Sequence, residues 1–205
     1  MSTYKLLSKP GWGSVIAEAA LAVGGLAYEI ETVEMDGPRE HLRSLNPLGQ
    51  LPTLVLPDGR IMTESAAIVL HVADMNPAAG LAPSADDPSR PTFLRWLVFL
   101  VGSVYPTFTF GDDTTRWVSG KAAQDELMRT TIEYRCRLWS VIEEAAKGPW
   151  FLGQHFSAID LYLAPMTRWR PRRDWFAANC PRLHAIALKA DAHPGAAPVW
   201  KRNFG

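Results

Sequence analysis

The stretch from Asn46 to Ser65, NPLGQLPTLVLPDGRIMTES, limits what this chain can fold into more than any other. Leu51-Pro52-Thr53-Leu54-Val55-Leu56 is an aliphatic and β-branched run that reads as a strand, and Asp58-Gly59 is a strong two-residue hairpin signal. Arg60-Ile61-Met62 returns as the partner strand. Thr63-Glu64-Ser65 then opens an apolar helix over Ala66 to Ala73. A proline cannot donate to a strand ladder, so Pro52 belongs at an edge or at the first position of its strand. That leaves the backbone of Leu51 free to pair with a ligand. Glu64 and Ser65 at a helix start offer a carboxylate, a hydroxyl and unpaired N–H groups at the positive end of a dipole. Such a set suits a zwitterion that carries a carboxylate and an ammonium on one end.

The flanking sequence supplies the rest of a small α/β unit. Tyr4 to Ser8 reads as a strand that ends at the turn Lys9-Pro10-Gly11. Ser14 reads as the cap of a helix over Val15 to Val23, stopped by Gly24-Gly25. Tyr28 to Val33 alternates as a second strand, and residues 36–48 form a polar connection with a helical turn near Arg39 to Leu45. The order is β-α-β-α-β-β-α. Asn76 to Pro91 holds four prolines among small and polar residues and reads as a boundary. Everything beyond it has helical spacing: Thr92 to Tyr105 with Pro106 near its end, Ala122 to Ala146 stopped by Gly148-Pro149, and a last helix over Pro181 to Ala190. Ser157-Ala158-Ile159-Asp160 is an S-x-x-D capping box before the apolar run Leu161 to Met166, a folding signal without catalytic role. The expected architecture is an α/β unit over 1–78, a linker over 79–91 and an all-α unit over 92–205.

Composition narrows the function classes. With 21 basic and 21 acidic residues the net charge is zero, which argues against binding nucleic acid through phosphate attraction. Cys136 and Cys180 are far apart, form no metal-binding spacing and fit a reducing, cytoplasmic setting better than a disulfide framework. The N-terminal residues lack the basic start and apolar core of a signal peptide. No run approaches the roughly 18 uninterrupted apolar residues of a membrane span.

Gly49-Gln50-Leu51-Pro52, the hairpin, Glu64-Ser65 and the apolar helix together resemble the glutathione S-transferase family, and the resemblance extends over essentially the whole chain. It implies a thioredoxin-like first unit followed by an all-helical one, with Pro52 cis. It also implies that the Leu51 backbone pairs with the cysteinyl part of glutathione, and that Glu64 and Ser65 hold its γ-glutamyl end. Gln50 would reach the same peptide. Arg43 and His41 lie where relatives supply a cation to the glycine carboxylate, although either residue could equally be an ordinary solvated side chain. Glutathione is then a co-substrate, and no metal or resident cofactor is expected. A homodimer is implied, built through the first and fourth helices.

The reaction implied is attack of the glutathione thiolate on a hydrophobic electrophile. A free thiol has a pKa near 8.5, so lowering it by about two units stabilises the anion by roughly 2.7 kcal/mol. In the family a Tyr, Ser or Cys at the turn between the first strand and first helix contacts the sulfur. Ser14 occupies that place, as thiol donor, helix cap or both. Beta-class relatives carry a cysteine one residue earlier, where this chain has Gly13. Trp12 would flank the sulfur or cover the substrate. Tyr4 lies too early in its strand and reads as core or interface. Tyr105, Phe108, Phe110 and Trp117 are either a wall of the electrophile site or core aromatics. Ser103-Val104-Tyr105 and Val98 stand where beta-class relatives have a His and an Asn. Arg168, Arg170, Arg172 and Arg173 read as a solvated loop gripping neighbouring helices, with an anionic co-substrate as the alternative. Peroxide reduction, dehalogenation and a non-catalytic binding role remain alternative functions.

Overall fold

The structure, a computed structural model, describes residues 3–205; Met1 and Ser2 lie outside the described residues. Four strands form one sheet in the order β2-β1-β3-β4. β1 (Tyr4–Ser8) runs parallel to β2 (Tyr28–Thr32), with Tyr4 opposite Tyr28 and Ser8 opposite Thr32. β3 (Thr53–Val55) is antiparallel to β1, with Leu6 opposite Leu54, and β4 (Ile61–Thr63) is antiparallel to β3, with Leu54 opposite Met62. Leu6 and Leu7 point to opposite faces, and both are fully buried, so β1 is covered on both sides. β3 is shorter than the aliphatic run suggests, because Pro52 and the turn take its ends. The connection to β4 is a three-residue loop instead of a two-residue hairpin. The Leu56 N–H donates to the Arg60 carbonyl at 2.8 Å, and Gly59 takes φ +84°, the left-handed position such loops reserve for glycine.

α1 (Ser14–Val23) carries an unbroken apolar run, and every residue from Ser14 to Leu21 is buried. It ends as the glycine pair dictates: Gly25 has φ +66° and the Leu26 N–H reaches back to the Leu21 carbonyl at 3.1 Å. The neighbours of α1 within the chain are β1 and the helices over Ser65–Met75, Ala158–Met166 and Ala197–Phe204. α2 (Glu40–Leu45) sits in the polar connection with Leu42 buried, and α3 (Ser65–Met75) packs on α1. The segment read as a linker is anchored, since Leu81 is buried and its carbonyl accepts the Ala158 N–H at 2.7 Å.

The remainder is helical. α4 (Arg90–Phe99), a π-helical turn (Leu100–Val104) and α5 (Tyr105–Gly111) form one continuous rod. The rod passes Pro106, where a helix end was expected. In the π turn the Tyr105 N–H bonds the Leu100 carbonyl five residues back. The missing proline N–H therefore falls where the ladder has already skipped a rung. At 22 residues, with an 18-residue window of mean hydropathy 1.4, the rod is long and apolar enough to cross a membrane. Phe93, Trp96, Leu97, Leu100, Val104 and Phe108 are instead buried in the helical core. α6 (Lys121–Ala145) packs on α5, and α7 (Ala158–Met166) is buried along its whole length against α1, α4 and α9 (Pro181–Asp191). The capping box is formed as expected: Asp160 accepts the N–H groups of Ser157 and Phe151, each at 2.8 Å.

Two helices escape the sequence pattern, α8 (Arg173–Asn179) and α10 (Ala197–Phe204). Both are short, and α10 gains its stability by docking on α1. There the buried Glu18 pairs with Arg202 and accepts from the Asn203 amide at 3.0 Å. Half of the arginine cluster is likewise structural. Arg168 and Arg173 bind Asp191 at 3.0 and 2.5 Å, which clamps α7, α8 and α9 together.

Candidate functional site

The strand register brings the singled-out residues together at one end of the sheet. Leu7 lies opposite Thr53, and Thr53 lies opposite Thr63. One step further along the ladder, Ser8, Pro52 and Glu64 stand abreast, immediately before the turn into α1 and the start of α3. The Leu51-Pro52 bond is cis, as the resemblance implies. Gly148-Pro149 and Arg170-Pro171 are also cis, which nothing in the sequence signals. The backbone N–H and carbonyl of Leu51 make no hydrogen bond among the described residues.

A buried amide braces the loop before Pro52. The Asn46 side chain donates to the Gln50 carbonyl at 3.0 Å and accepts the Leu48 N–H at 3.2 Å, and the Thr53 hydroxyl donates to the same Gln50 carbonyl at 3.0 Å. The Arg39 guanidinium adds a bond to the Gly49 carbonyl at 3.3 Å. Gln50 itself is exposed. Asn46 and Arg39 are the residues sequence reasoning missed, and the left-handed Gly49 beside them was the available signal. Glu64 holds φ +64° without being glycine, a conformation that costs of order 1–3 kcal/mol and that clusters at ligand sites. Its carboxylate is exposed and has no cation partner among the described residues. Ser65 opens α3, and its hydroxyl accepts a hydrogen bond from Tyr162 of α7 at 2.8 Å. Burial pushes the Tyr162 phenol well up, so it stays a donor.

The two basic candidates differ. Arg43 is exposed, lies along Gly49 and has no carboxylate partner among the described residues. His41 instead faces Glu31 of β2, with Nε2 3.1 Å from the carboxylate.

At the turn into α1 the picture departs from expectation. Ser14 is the first residue of the helix, its cap position is Gly13, and no side chain caps the end. The Ser14 hydroxyl is fully buried. It accepts from the Ser8 hydroxyl at 2.9 Å and the Lys9 N–H at 3.2 Å, and it donates to the Lys9 carbonyl at 3.3 Å. Its three hydrogen-bond contacts are all to Ser8 and Lys9 of the turn. Trp12 is 46% exposed beside the Lys9 ammonium. Tyr4 is core, its hydroxyl 3.0 Å from His71.

The aromatic candidates separate into two groups. Tyr105 and Phe108 stack edge-to-face with Trp169 at 5.8 and 5.4 Å, and Tyr105 meets Tyr162 at 6.3 Å. Trp117 and Phe110 pair with each other at 4.8 Å on the surface and do not join that group. Beneath Phe108 lies the buried Arg135, its guanidinium 3.7 Å from the ring centre and bonded to the Thr107 carbonyl at 2.7 Å. Two concavities, of about 390 Å³ beside His155 and Phe156 and about 220 Å³ beside Tyr4 and His71, lie away from the α1 turn.

A family model for the glutathione S-transferase N-terminal domain matches residues 15–75. An uncharacterized GST-like protein of Escherichia coli K12, YncG, is 40% identical over 204 residues, covering 97% of this chain and 98% of that protein. This chain belongs to the glutathione S-transferase family. Among family members of known structure, a glutathione transferase homolog from Sulfitobacter with bound glutathione superposes with TM-score 0.87 at 25% identity, covering 98% of this chain and 99% of that one. A sphingomonad glutathione S-transferase complexed with glutathione superposes at 0.80 with 30% identity over 97% and 98% of the two chains. The thioredoxin-like sheet and helical remainder are thus the transferase fold.

Proposed function

We propose that this protein is a glutathione transferase that ionises the glutathione thiol and directs it at a hydrophobic electrophile. The observation that carries the reading is the alignment of Leu51-Pro52, Glu64-Ser65 and the α1 turn at one sheet end. A tripeptide laid along that edge meets three chemistries in the order glutathione presents them. Glu64 pairs with the glutamyl ammonium, and the Ser65 amide and hydroxyl bind the glutamyl carboxylate at the positive end of α3. The free Leu51 backbone pairs with the cysteinyl unit as an added strand would. Arg43 reaches the glycine carboxylate, and Gln50 closes over the peptide. The cysteinyl sulfur then lies at the start of α1, whose unpaired N–H groups and dipole favour the thiolate. The thiolate attacks the electrophile, a new carbon–sulfur bond forms and the leaving group departs with its electron pair. Ser14, with its hydroxyl turned inward, supports this site by fixing the Ser8–Lys9 turn. Tyr105 and Phe108 face the electrophile side, and Trp12 covers the sulfur. A homodimer and a cytoplasmic location belong to the same proposal.

The test is retention on immobilised glutathione, calorimetric titration with free glutathione, and conjugation of an activated aryl halide. Glu64→Ala removes a charge-assisted contact of about 1.5–3 kcal/mol and is expected to raise the glutathione Kd roughly 10- to 100-fold. Absence of wild-type binding at millimolar glutathione overturns the reading. Binding without conjugation across several electrophile classes leaves a glutathione-binding protein that is not a transferase.

A further inference from the structure

We infer that the hydroxyl of Tyr105, delivered from the helical half of the molecule, is the hydrogen-bond donor that holds the glutathione sulfur as thiolate, and that Gly13 is glycine to admit it. The inference rests on the proposed glutathione site and adds the group that site lacks. The Ser14 hydroxyl is buried and engaged by Ser8 and Lys9 of the turn. The Tyr105 hydroxyl oxygen is buried yet has no hydrogen-bond partner among the described residues. A buried polar group without a partner is rare and costly, and where one persists a ligand is a standing explanation.

The hydroxyl is also aimed. A Cβ added at Gly13 would fall 3.0 Å from Tyr105 Oη and 3.3 Å from Cε1, so the phenol tip fills the space a side chain at position 13 would take. That position heads α1, where the N–H groups and dipole also gather negative charge. Tyr105 is the first residue after the π turn Leu100–Val104. Such turns insert a residue into the helical ladder, rotate the helix beyond it, and concentrate at functional sites.

Two neighbours single out Tyr105. Trp169 spans the same interface and donates its indole N–H to the Gly11 carbonyl at 2.9 Å, and Tyr162 donates to Ser65 at 2.8 Å. Three aromatic donors of the helical half thus reach the glutathione edge, and two of them are satisfied by the protein. Tyr105 stands between them and is left for the substrate. Burial raises its pKa well above that of an ordinary phenol, with the Tyr162 side chain adding to the effect, so it remains protonated. In the reaction the thiol proton leaves to solvent, while Tyr105 keeps its own proton and donates a hydrogen bond to the sulfur anion.

The experiment is a pH titration of the ultraviolet thiolate absorbance of bound glutathione in wild type, Tyr105→Phe and Gly13→Ala, alongside glutathione Kd, turnover and thermal unfolding. For Tyr105→Phe, the pKa of the bound thiol is expected to rise by about one unit, with turnover at neutral pH falling about tenfold or more and Kd changing less than about threefold. Unfolding without glutathione should be unchanged or shifted upward, because an unpaired buried hydroxyl is removed. Gly13→Ala keeps the phenol but displaces it, and should raise the thiol pKa in the same direction. A wild-type-like thiol pKa in Tyr105→Phe overturns the assignment and leaves the glutathione site standing. Loss of stability in Tyr105→Phe also overturns it, since the hydroxyl would then have a partner within the fold. If wild type binds no glutathione, the site reading and this inference fall together.

Discussion

Replacing Asp160 by alanine should be among the most damaging single changes outside the site. Its carboxylate accepts the Phe151 N–H and the Ser157 N–H at 2.8 Å each and lies 3.3 Å from the Ser157 hydroxyl, all buried at the head of α7. Alanine leaves two buried backbone donors without an acceptor, at about 1–3 kcal/mol each. The total comes to about 4 kcal/mol, a large share of the ~5–15 kcal/mol that holds a domain folded. The carboxylate is not cost-free, because burial raises its pKa to about 6 against the pull of its three hydrogen bonds. A raised carboxyl pKa means the folded state binds the extra proton between about pH 4 and 6. The corresponding stability is full below about pH 4 and is lost as pH rises through about 6, by roughly 3 kcal/mol for a rise of about two units. Urea unfolding followed by tryptophan fluorescence measures both effects. Asp160→Ala should lower the midpoint at neutral pH by an amount matching that loss. The stability of wild type relative to Asp160→Asn should fall as pH rises from about 4 to about 7. A loss under about 1 kcal/mol for Asp160→Ala at neutral pH would refute the argument that the two backbone donors depend on this side chain.

Glu18→Ala strips the buried acceptor from Arg202 and Asn203; with Arg202 half exposed, the cost is discounted to about 2 kcal/mol, and limited proteolysis should release α10 faster. Tyr162→Phe removes the donor to Ser65 and should weaken glutathione binding about three- to tenfold by calorimetry, the worth of a net bond of ~0.5–1.5 kcal/mol.

What could be read from the sequence was whatever is local. Proline, glycine and the Asp58-Gly59 turn mark the β3–β4 unit, alternation marks β1 and β2, and the S-x-x-D spacing marks the head of α7, because each depends on residues a few positions apart. The loop has three residues instead of two because Pro57 lacks the N–H that would close a two-residue turn opposite Arg60, so the ladder closes one residue earlier at Leu56. α8 and α10 were missed because both are short and are held by distant contacts, Phe176, Val199 and Trp200 in the core and ion pairs to Asp191 and Glu18. The expected end of the rod at Pro106 failed because a π turn absorbs the missing N–H. Ser14 was left open for the same reason on a smaller scale. Its position fits a cap or a thiol donor equally well, and only the fold shows that Ser8 and Lys9 have taken its hydroxyl.

The deeper reason the reaction centre resists reading lies in how it is divided between the two halves. Residues 46–65 carry the proposed glutathione-facing chemistry in one continuous stretch, so the ligand class is legible. The proposed sulfur end lies at the interface, where contacts join Trp169 to Gly11, Tyr105 to Gly13 and Tyr162 to Ser65. Each pair is separated by about ninety residues or more in sequence. Read alone, Gly13 is a missing cysteine and Tyr105 one aromatic among several. Together they form a single device, in which deleting a side chain on α1 makes room for a hydroxyl from α5. On the proposed reading, the thiol donor comes from one half of the molecule and the edge that grips the peptide from the other. The grip and the activation are then separable by mutation, Glu64 acting on affinity and Tyr105 on the ionisation of the bound thiol.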